Sequence, residues 1–171
     1  ESRVVNPELG GGSLLDLGIY VIGFSSMIFG QPPQKTTGFG FIGVYGSDEQ
    51  GASILEYDNG ALAILTFALR TATVNDAYIY GTDGYIKIPD LFAVPVVATL
   101  HINGQKEVEF EKPIRGNGLH YQVQEVHRCL REGLLESPRM PLDESLQIME
   151  TMDAIRSSWD LTYPNDSKQG L

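Results

Sequence analysis

Asp16 and Tyr20 stand four residues apart in the run GGGSLLDLGIYVIGFSSMIF. In a helix that spacing puts both side chains on one face, one turn from each other. The rest of the run is greasy, and a carboxylate among leucines is expensive to bury unless something pairs with it. Two accounts are open. In one, Asp16 closes a capping box begun by Ser13 and favours the positive helix end, while Tyr20 is a core aromatic with a satisfied hydroxyl. In the other, the two form a polar strip facing a ligand, where a phenol and a carboxylate grip hydroxyl groups or assist proton transfer.

Other spacings carry less. Gly38-Phe39-Gly40-Phe41-Ile42-Gly43 reads as G-x-G-x-x-G, the spacing of a turn that holds a dinucleotide pyrophosphate. Such a turn needs a strand before it and a helix N-terminus after it. Here PPQKTT precedes and VYGSDEQG follows, with no helix opening, so these glycines are expected within or beside a strand, allowing bulges or close backbone approach. His101, His120, His127 and Cys129 show no metal-ligand spacing, and no nucleophile motif supports a Ser–His–Asp set. His120 and Tyr121 open a helix and are not singled out as a site. Met149 and Met152 read as core filler at helical spacing.

The elements that must position Asp16 and Tyr20 follow from periodicity. Residues 13–29 read as a helix, apolar on nearly every face and therefore expected to be buried, ended by Gly30 and Pro32-Pro33. From about Lys35 to Lys112 the signals are those of strands. ASILEY and ALAILTFALR flank Asp58-Asn59-Gly60, DAYIYG and YIKI flank Thr82-Asp83-Gly84, and VVATLHI and KEVEFE flank Asn103-Gly104. Three hairpins in a row mean antiparallel pairing, not βαβ units. Leu119, Val123, Val126, Leu130 and Leu134, then Leu142, Leu146, Met149, Met152, Ile155 and Trp159, mark two closing helices. The fold class is α+β: a large open, mostly antiparallel sheet with helices packed on one face, in a single domain over residues 1–171. In ALAILTFAL both alternating faces are apolar, so a partner subunit packed sheet to sheet is expected to cover the face the helices leave open.

Composition narrows the partners. The net charge of −10 argues against nucleic acid and anionic membrane surfaces, both of which attract basic patches. One cysteine among 171 residues excludes a disulfide framework and a thiolate metal cage, and it fits a cytoplasmic setting. The first residues show no secretory signal pattern, and the apolar run 14–29 is interrupted by Asp16 and short for a membrane span. A chain that begins at Glu1 is expected to be a piece of a longer protein.

NPELGGGSLLDLGIY resembles the start of the C-terminal domain of the Gfo/Idh/MocA oxidoreductases, in particular the dimeric dihydrodiol dehydrogenase branch. GLHYQVQEVHRCLREGLLESPRMPLDESLQIMETMDAIRSSW is similar to that branch's closing helix pair. The resemblance implies an N-terminal Rossmann domain lying outside this chain, and an NAD or NADP cofactor bound mainly there. It implies no metal, a sugar, polyol or diol substrate held between the domains, and assembly into homo-oligomers. Gly10, Gly11, Gly12, Leu14, Asp16, Gly18 and Tyr20 match the family's Gly-Gly-Gly-x-Leu-x-Asp-x-Gly-x-Tyr pattern. The resemblance therefore makes Tyr20 and Asp16 the catalytic candidates: Tyr20 on the reacting hydroxyl or carbonyl, Asp16 orienting Tyr20 or substrate. The family's catalytic lysine sits in a Glu-Lys-Pro motif before the Gly-Gly-Gly helix. Here Glu111-Lys112-Pro113 comes after the sheet, so Lys112 is expected to be a solvated strand-end lysine. Two functions follow: the substrate and assembly half of an oxidoreductase, inactive alone, or a non-catalytic interaction domain that keeps the fold.

Overall fold

The computed structural model describes residues 2–164 and 166. Its helices and strands run in the order α1 (Ile19–Phe29), β1 (Lys35–Ile42), β2 (Asp48–Glu56), β3 (Leu62–Ala68), β4 (Ala77–Tyr80), β5 (Gly84–Ile88), β6 (Val97–Ile102), β7 (Val108–Glu111), α2 (His120–Glu132) and α3 (Leu142–Ser157). They divide into two compact units, one from Glu1–Thr73 and Met140–Leu171, the other Val74–Arg139. Every strand pairing is antiparallel, and the class is α+β as expected. The strands are shared between two sheets, in the orders β1-β2-β3 and β4-β5-β6-β7. Residues 69–76 separate them and pair with neither as strand.

In the first unit the β2–β3 hairpin turns at Asp58-Asn59-Gly60. Asn59 (φ 64°) and Gly60 (φ 76°) take the left-handed conformation that the turn requires. One side of the sheet faces α1 and α3. Leu55, Leu65 and Phe67 point there and join Leu14, Ile22, Tyr57, Ile148, Met152 and Ile155 in the core. Polar bonds fix the seam. The buried Ser25 and Tyr57 hydroxyls lie 2.7 Å apart, Phe29 stacks on Tyr57, and the Ser26 hydroxyl donates to Glu144 on α3 at 2.7 Å. On the other side of the sheet, Phe39, Ile54, Leu62 and Ile64 are exposed.

α1 departs from the expectation of burial on every face. Ile22 and Ser25 are buried and Val21 and Phe29 pack on the core, but Ile19, Tyr20, Met27 and Ile28 are exposed. An all-apolar run gives no moment to say which face the neighbours cover, and here they cover one. With the turns before it, Pro7–Phe29 is long and apolar enough, by length and composition alone, to cross a membrane. In this fold its Leu14 and Ile22 are core residues.

The second unit holds the other two expected hairpins. Gly84 sits where a Cβ would strike the His101 carbonyl, so β5 and β6 approach closely only because it is glycine. Tyr78, Tyr80, Tyr85 and His101 share one face by register and form a run of ring contacts, the shortest between Tyr85 and His101 at 4.7 Å. Gly133 (φ 69°) caps α2. Glu125 gathers the following loop onto α2 by accepting from Arg128 (2.7 Å) and from Ser137 (2.6 Å). Only Ile88 and Cys129 are buried apolar residues in this unit, so it carries little core of its own.

Candidate active site

The Gly-Gly-Gly segment delivers the chain into a wide turn. Gly12, with φ 141°, has a conformation that side chains rarely adopt, and a Cβ on Gly11 would lie 2.6 Å from the Arg3 carbonyl oxygen. Leu14–Gly18 then forms one π-helical turn, with the Ile19 N–H reaching the Leu14 carbonyl, before α1 proper begins. Such turns are uncommon and recur at functional sites. Gly18 permits it to lie against the sheet: a Cβ there would meet Leu14 at 2.9 Å and Phe67 at 3.4 Å.

The expected capping box does not form. Ser13 is already helical and fully buried, and its hydroxyl donates to the Asp48 carboxylate at 2.6 Å; the Leu14 N–H donates to the same oxygen at 2.7 Å. Ser13 thus makes no side-chain cap bond, its hydroxyl being turned to an acceptor on β2. Asp16 instead accepts from the Arg3 guanidinium at 2.9 Å, with its side chain 27% exposed. Tyr20 is 57% exposed, and among the described residues its hydroxyl has no hydrogen-bond partner. The two candidates therefore lie on one short segment without bonding each other. A phenol open to solvent and a carboxylate with unused acceptor sites can together take a hydroxyl-bearing ligand.

Behind this segment lies a polar knot. The Tyr163 hydroxyl donates to the Gly11 carbonyl at 3.0 Å, and a Cβ on Gly12 would fall 2.8 Å from that hydroxyl. Burial, with the nearby Asp48 charge second, pushes the Tyr163 phenol well above its ordinary value. It is a fixed hydrogen-bond donor. Arg3, Asp48 and Tyr163 are the residues that sequence reasoning missed. Each acts across a separation that no local pattern encodes: 13 residues for Arg3 to Asp16, 35 for Ser13 to Asp48 and 152 for Tyr163 to Gly11.

The G-x-G-x-x-G glycines lie where a strand was expected. Gly38 and Gly40 are in β1, whose register shifts between Phe41 and Ile42. A Cβ on Gly38 would strike the Ala52 carbonyl, one on Gly40 the Trp159 indole and one on Gly43 the Glu49 carboxylate. These glycines make room for the neighbouring strand, Trp159 and Glu49. Lys112 follows β7, its N–H bonded to Val96 at 2.8 Å. His101 contacts Glu107 at 3.3 Å, and His120 packs on Tyr121 at the start of α2. Among the described residues no group of three His, Cys, Asp or Glu could hold a metal ion.

A family model described as the GFO/IDH/MocA C-terminal domain matches residues 1–87, the part that contains the wide turn, Asp16 and Tyr20. The chain belongs to the GFO/IDH/MocA family. It is 38% identical over 171 residues to a trans-1,2-dihydrobenzene-1,2-diol dehydrogenase of Xenopus laevis, covering 95% of this chain and 51% of the relative. The Mus musculus enzyme of the same name is 38% identical over 175 residues, covering 97% and 51%. The chain thus spans about half the length of these curated relatives. In fold it is similar to an aldose–aldose oxidoreductase of Caulobacter crescentus, solved with glycerol (TM-score 0.78, 20% identity, 92% of this chain and 48% of that one). It is also similar to a 3-ketoreductase of Actinomadura kijaniata, solved with NADP and TDP-benzene (TM-score 0.74, 22% identity, 92% and 49%).

Proposed function

We propose that this chain is the substrate-binding and assembly half of an NAD(P)-dependent oxidoreductase acting on the CH–OH group of a diol, polyol or sugar. The observation that carries the reading is the wide turn Leu14–Gly18. It is built by the family's glycine pattern, and it leads to a helix face on which Tyr20 stands open to solvent, with Asp16 on the turn itself. In this reading the Tyr20 hydroxyl bonds the reacting hydroxyl or carbonyl oxygen. Asp16, tethered by Arg3, keeps further acceptor sites free for a second substrate hydroxyl or for orienting Tyr20. The names of the relatives support the substrate class, since they specify a dihydrodiol, aldoses and a ketone.

The residues of this chain do not fit the cofactor's pyrophosphate. Its one G-x-G-x-x-G run is spent on strand contacts with Ala52, Trp159 and Glu49. We assign cofactor binding, and the lysine that handles the proton, to the part of the longer relatives that this chain does not span. The 171-residue chain alone is then inactive and shows no submillimolar affinity for NADPH by titration. The longer protein oxidises trans-1,2-dihydrobenzene-1,2-diol, another diol or a sugar with NADP or NAD. Submillimolar binding to this chain alone, or a longer protein without dehydrogenase activity toward diols and sugars, would contradict the assignment.

The open side of the first sheet supports assembly through that face. Register sets Thr37, Ile54 and Ile64 in one row and Phe39, Ala52 and Thr66 in the next, with Phe39 and Ile64 at 87% and 76% exposure. Exposed Phe39, Ile54 and Ile64, grouped in these rows beside Thr37 and Thr66, are the kind of apolar cluster that marks an association surface, and we propose a homo-oligomer packed sheet to sheet. The same rows favour the second reading, an interaction domain that has kept the fold without the chemistry. Turnover by the longer protein separates the two. We assign the protein to the cytoplasm, consistent with its one cysteine, Cys129, being free and buried.

A further inference from the structure

We propose that Asp48 is a positioning residue: it pins the wide turn Leu14–Gly18 and so sets the direction in which Tyr20 points. The inference rests on the reading of Tyr20 given above. Asp48 opens β2 and is paired with Ile42 of β1, so it is anchored in the sheet. It is fully buried. Its Oδ2 takes the Ser13 hydroxyl at 2.6 Å and the Leu14 N–H at 2.7 Å, while its Oδ1 has no hydrogen-bond partner among the described residues. A buried carboxylate using half of its acceptor capacity is an expensive way to hold two donors. A neutral hydroxyl or amide would cap an ordinary helix at lower cost.

The feature this helix has beyond an ordinary one is its first turn. Leu14, the residue whose N–H is held, is the first of the five in the wide turn. A π-turn accommodates one more residue than an α-turn, so its relaxation to an α-turn would carry Tyr20 roughly 100° around the helix axis. Gly12 lets the carboxylate approach: a Cβ there would strike Asp48 Oδ1 and lie 2.8 Å from the Tyr163 hydroxyl. The Tyr163 hydroxyl adds a further tie, donating to the Gly11 carbonyl at 3.0 Å. The segment Gly11–Leu14 is thus held by a buried sheet carboxylate and a half-buried phenol, immediately before the residues assigned to chemistry.

The test pairs Asp48→Ala, which removes both acceptors, with Asp48→Asn, which keeps an acceptor oxygen and nearly the same volume. Amide hydrogen exchange on the 171-residue chain reads the turn directly. Asp48→Ala is expected to speed exchange at Leu14–Tyr20 by about tenfold or more, with Ile148–Ile155 of α3 unchanged and Asp48→Asn within about threefold of the parent. If Asp48→Ala does not fold, Ser13→Ala, which removes one of the two bonds, is expected to give the same local contrast at about threefold. Exchange that rises evenly through the first unit, or not at all in the turn, overturns the proposal. In the longer protein, with trans-1,2-dihydrobenzene-1,2-diol and NADP, Asp48→Ala should lower kcat about tenfold with KM changed less than about threefold, and Asp48→Asn should recover most of it. A drop in turnover for Tyr20→Phe together with unchanged kcat for Asp48→Ala overturns the role of Asp48 and leaves the function standing. Unchanged turnover for Tyr20→Phe removes the function assigned to Tyr20, and the exchange contrast still decides whether Asp48 fixes the turn.

Discussion

Gly40 of β1 lies beneath the indole of Trp159, and Gly51, its partner across the β1–β2 ladder, lies beneath the same ring. A Cβ on Gly51 would sit 2.7 Å from Trp159 and 2.6 Å from Phe67; one on Gly40 would strike the indole. The pair forms a slot that lets Trp159, two residues past α3, pack against the sheet. Neither glycine has a positive φ, so the requirement is for space. Gly40→Ala is expected to destabilise the chain by about 1–3 kcal/mol through overpacking. Urea unfolding measures it, and a smaller residue at Trp159 should recover part of the loss as a non-additive double-mutant effect. If the glycine served a phosphate turn, Gly40→Ala would leave stability unchanged.

Glu125 gives the chain a pH-sensitive fastening. Its hydrogen bonds from Arg128 first, and from Ser137 second, hold its carboxyl down to about 2 from the ordinary 4.5. A carboxylate whose pKa is lowered by folding adds stability above its unfolded value and loses it as the pH falls toward the folded one. Acidification from pH 5 to pH 2 should therefore release the loop through Ser137 and Arg139 from α2. Amide exchange on residues 134–139 reads this, and Glu125→Gln should show the released behaviour already at pH 7. Protection of that loop that is flat across this range would show that Glu125 does not hold it.

Ile64 stands in the middle of the open apolar face, directly across from Ile54 in the β2–β3 register. Ile64→Lys leaves the helix-facing side of the sheet untouched and places a charge in the proposed subunit contact. The parent chain should scatter light as a dimer or larger at micromolar concentration, and the variant as a monomer with the same melting temperature within a few degrees. A parent chain that is already monomeric contradicts the assembly role.

How much of this was legible in the sequence depended on whether the signal is local. The hairpin at Asn59-Gly60 is set by backbone conformations that few residues tolerate, and the structure has it where the sequence indicates. The period of Leu119, Val123, Val126, Leu130 and Leu134 was equally plain; α2 covers Val123 to Leu130, with Leu119 as its N-cap residue and Leu134 just past its cap. The glycine pattern before Asp16 was legible as a motif. Its physical content, a π-turn held from β2, was not. Ser13 and Asp48 are adjacent only because the sheet brings them together, and a serine three residues before an acid looks like a capping box whether or not a better acceptor waits 35 residues on. The open face of α1 was hidden for another reason. When every face is apolar, periodicity does not tell a covered side from an uncovered one, and Tyr20 was therefore as easily a core aromatic as an exposed phenol. The division of the strands into two sheets was also illegible, since residues 69–76 are no more broken in composition than the turns that keep strands paired.

The most direct test of the account is the turnover of Tyr20→Phe in the longer protein, with a diol substrate and NADP under saturating conditions. The substitution removes one hydroxyl from an exposed position and leaves the core intact, so folding and the melting temperature should not change. The account predicts that kcat falls by about tenfold or more. Turnover equal to that of the parent would contradict it and leave the chain as an assembly domain.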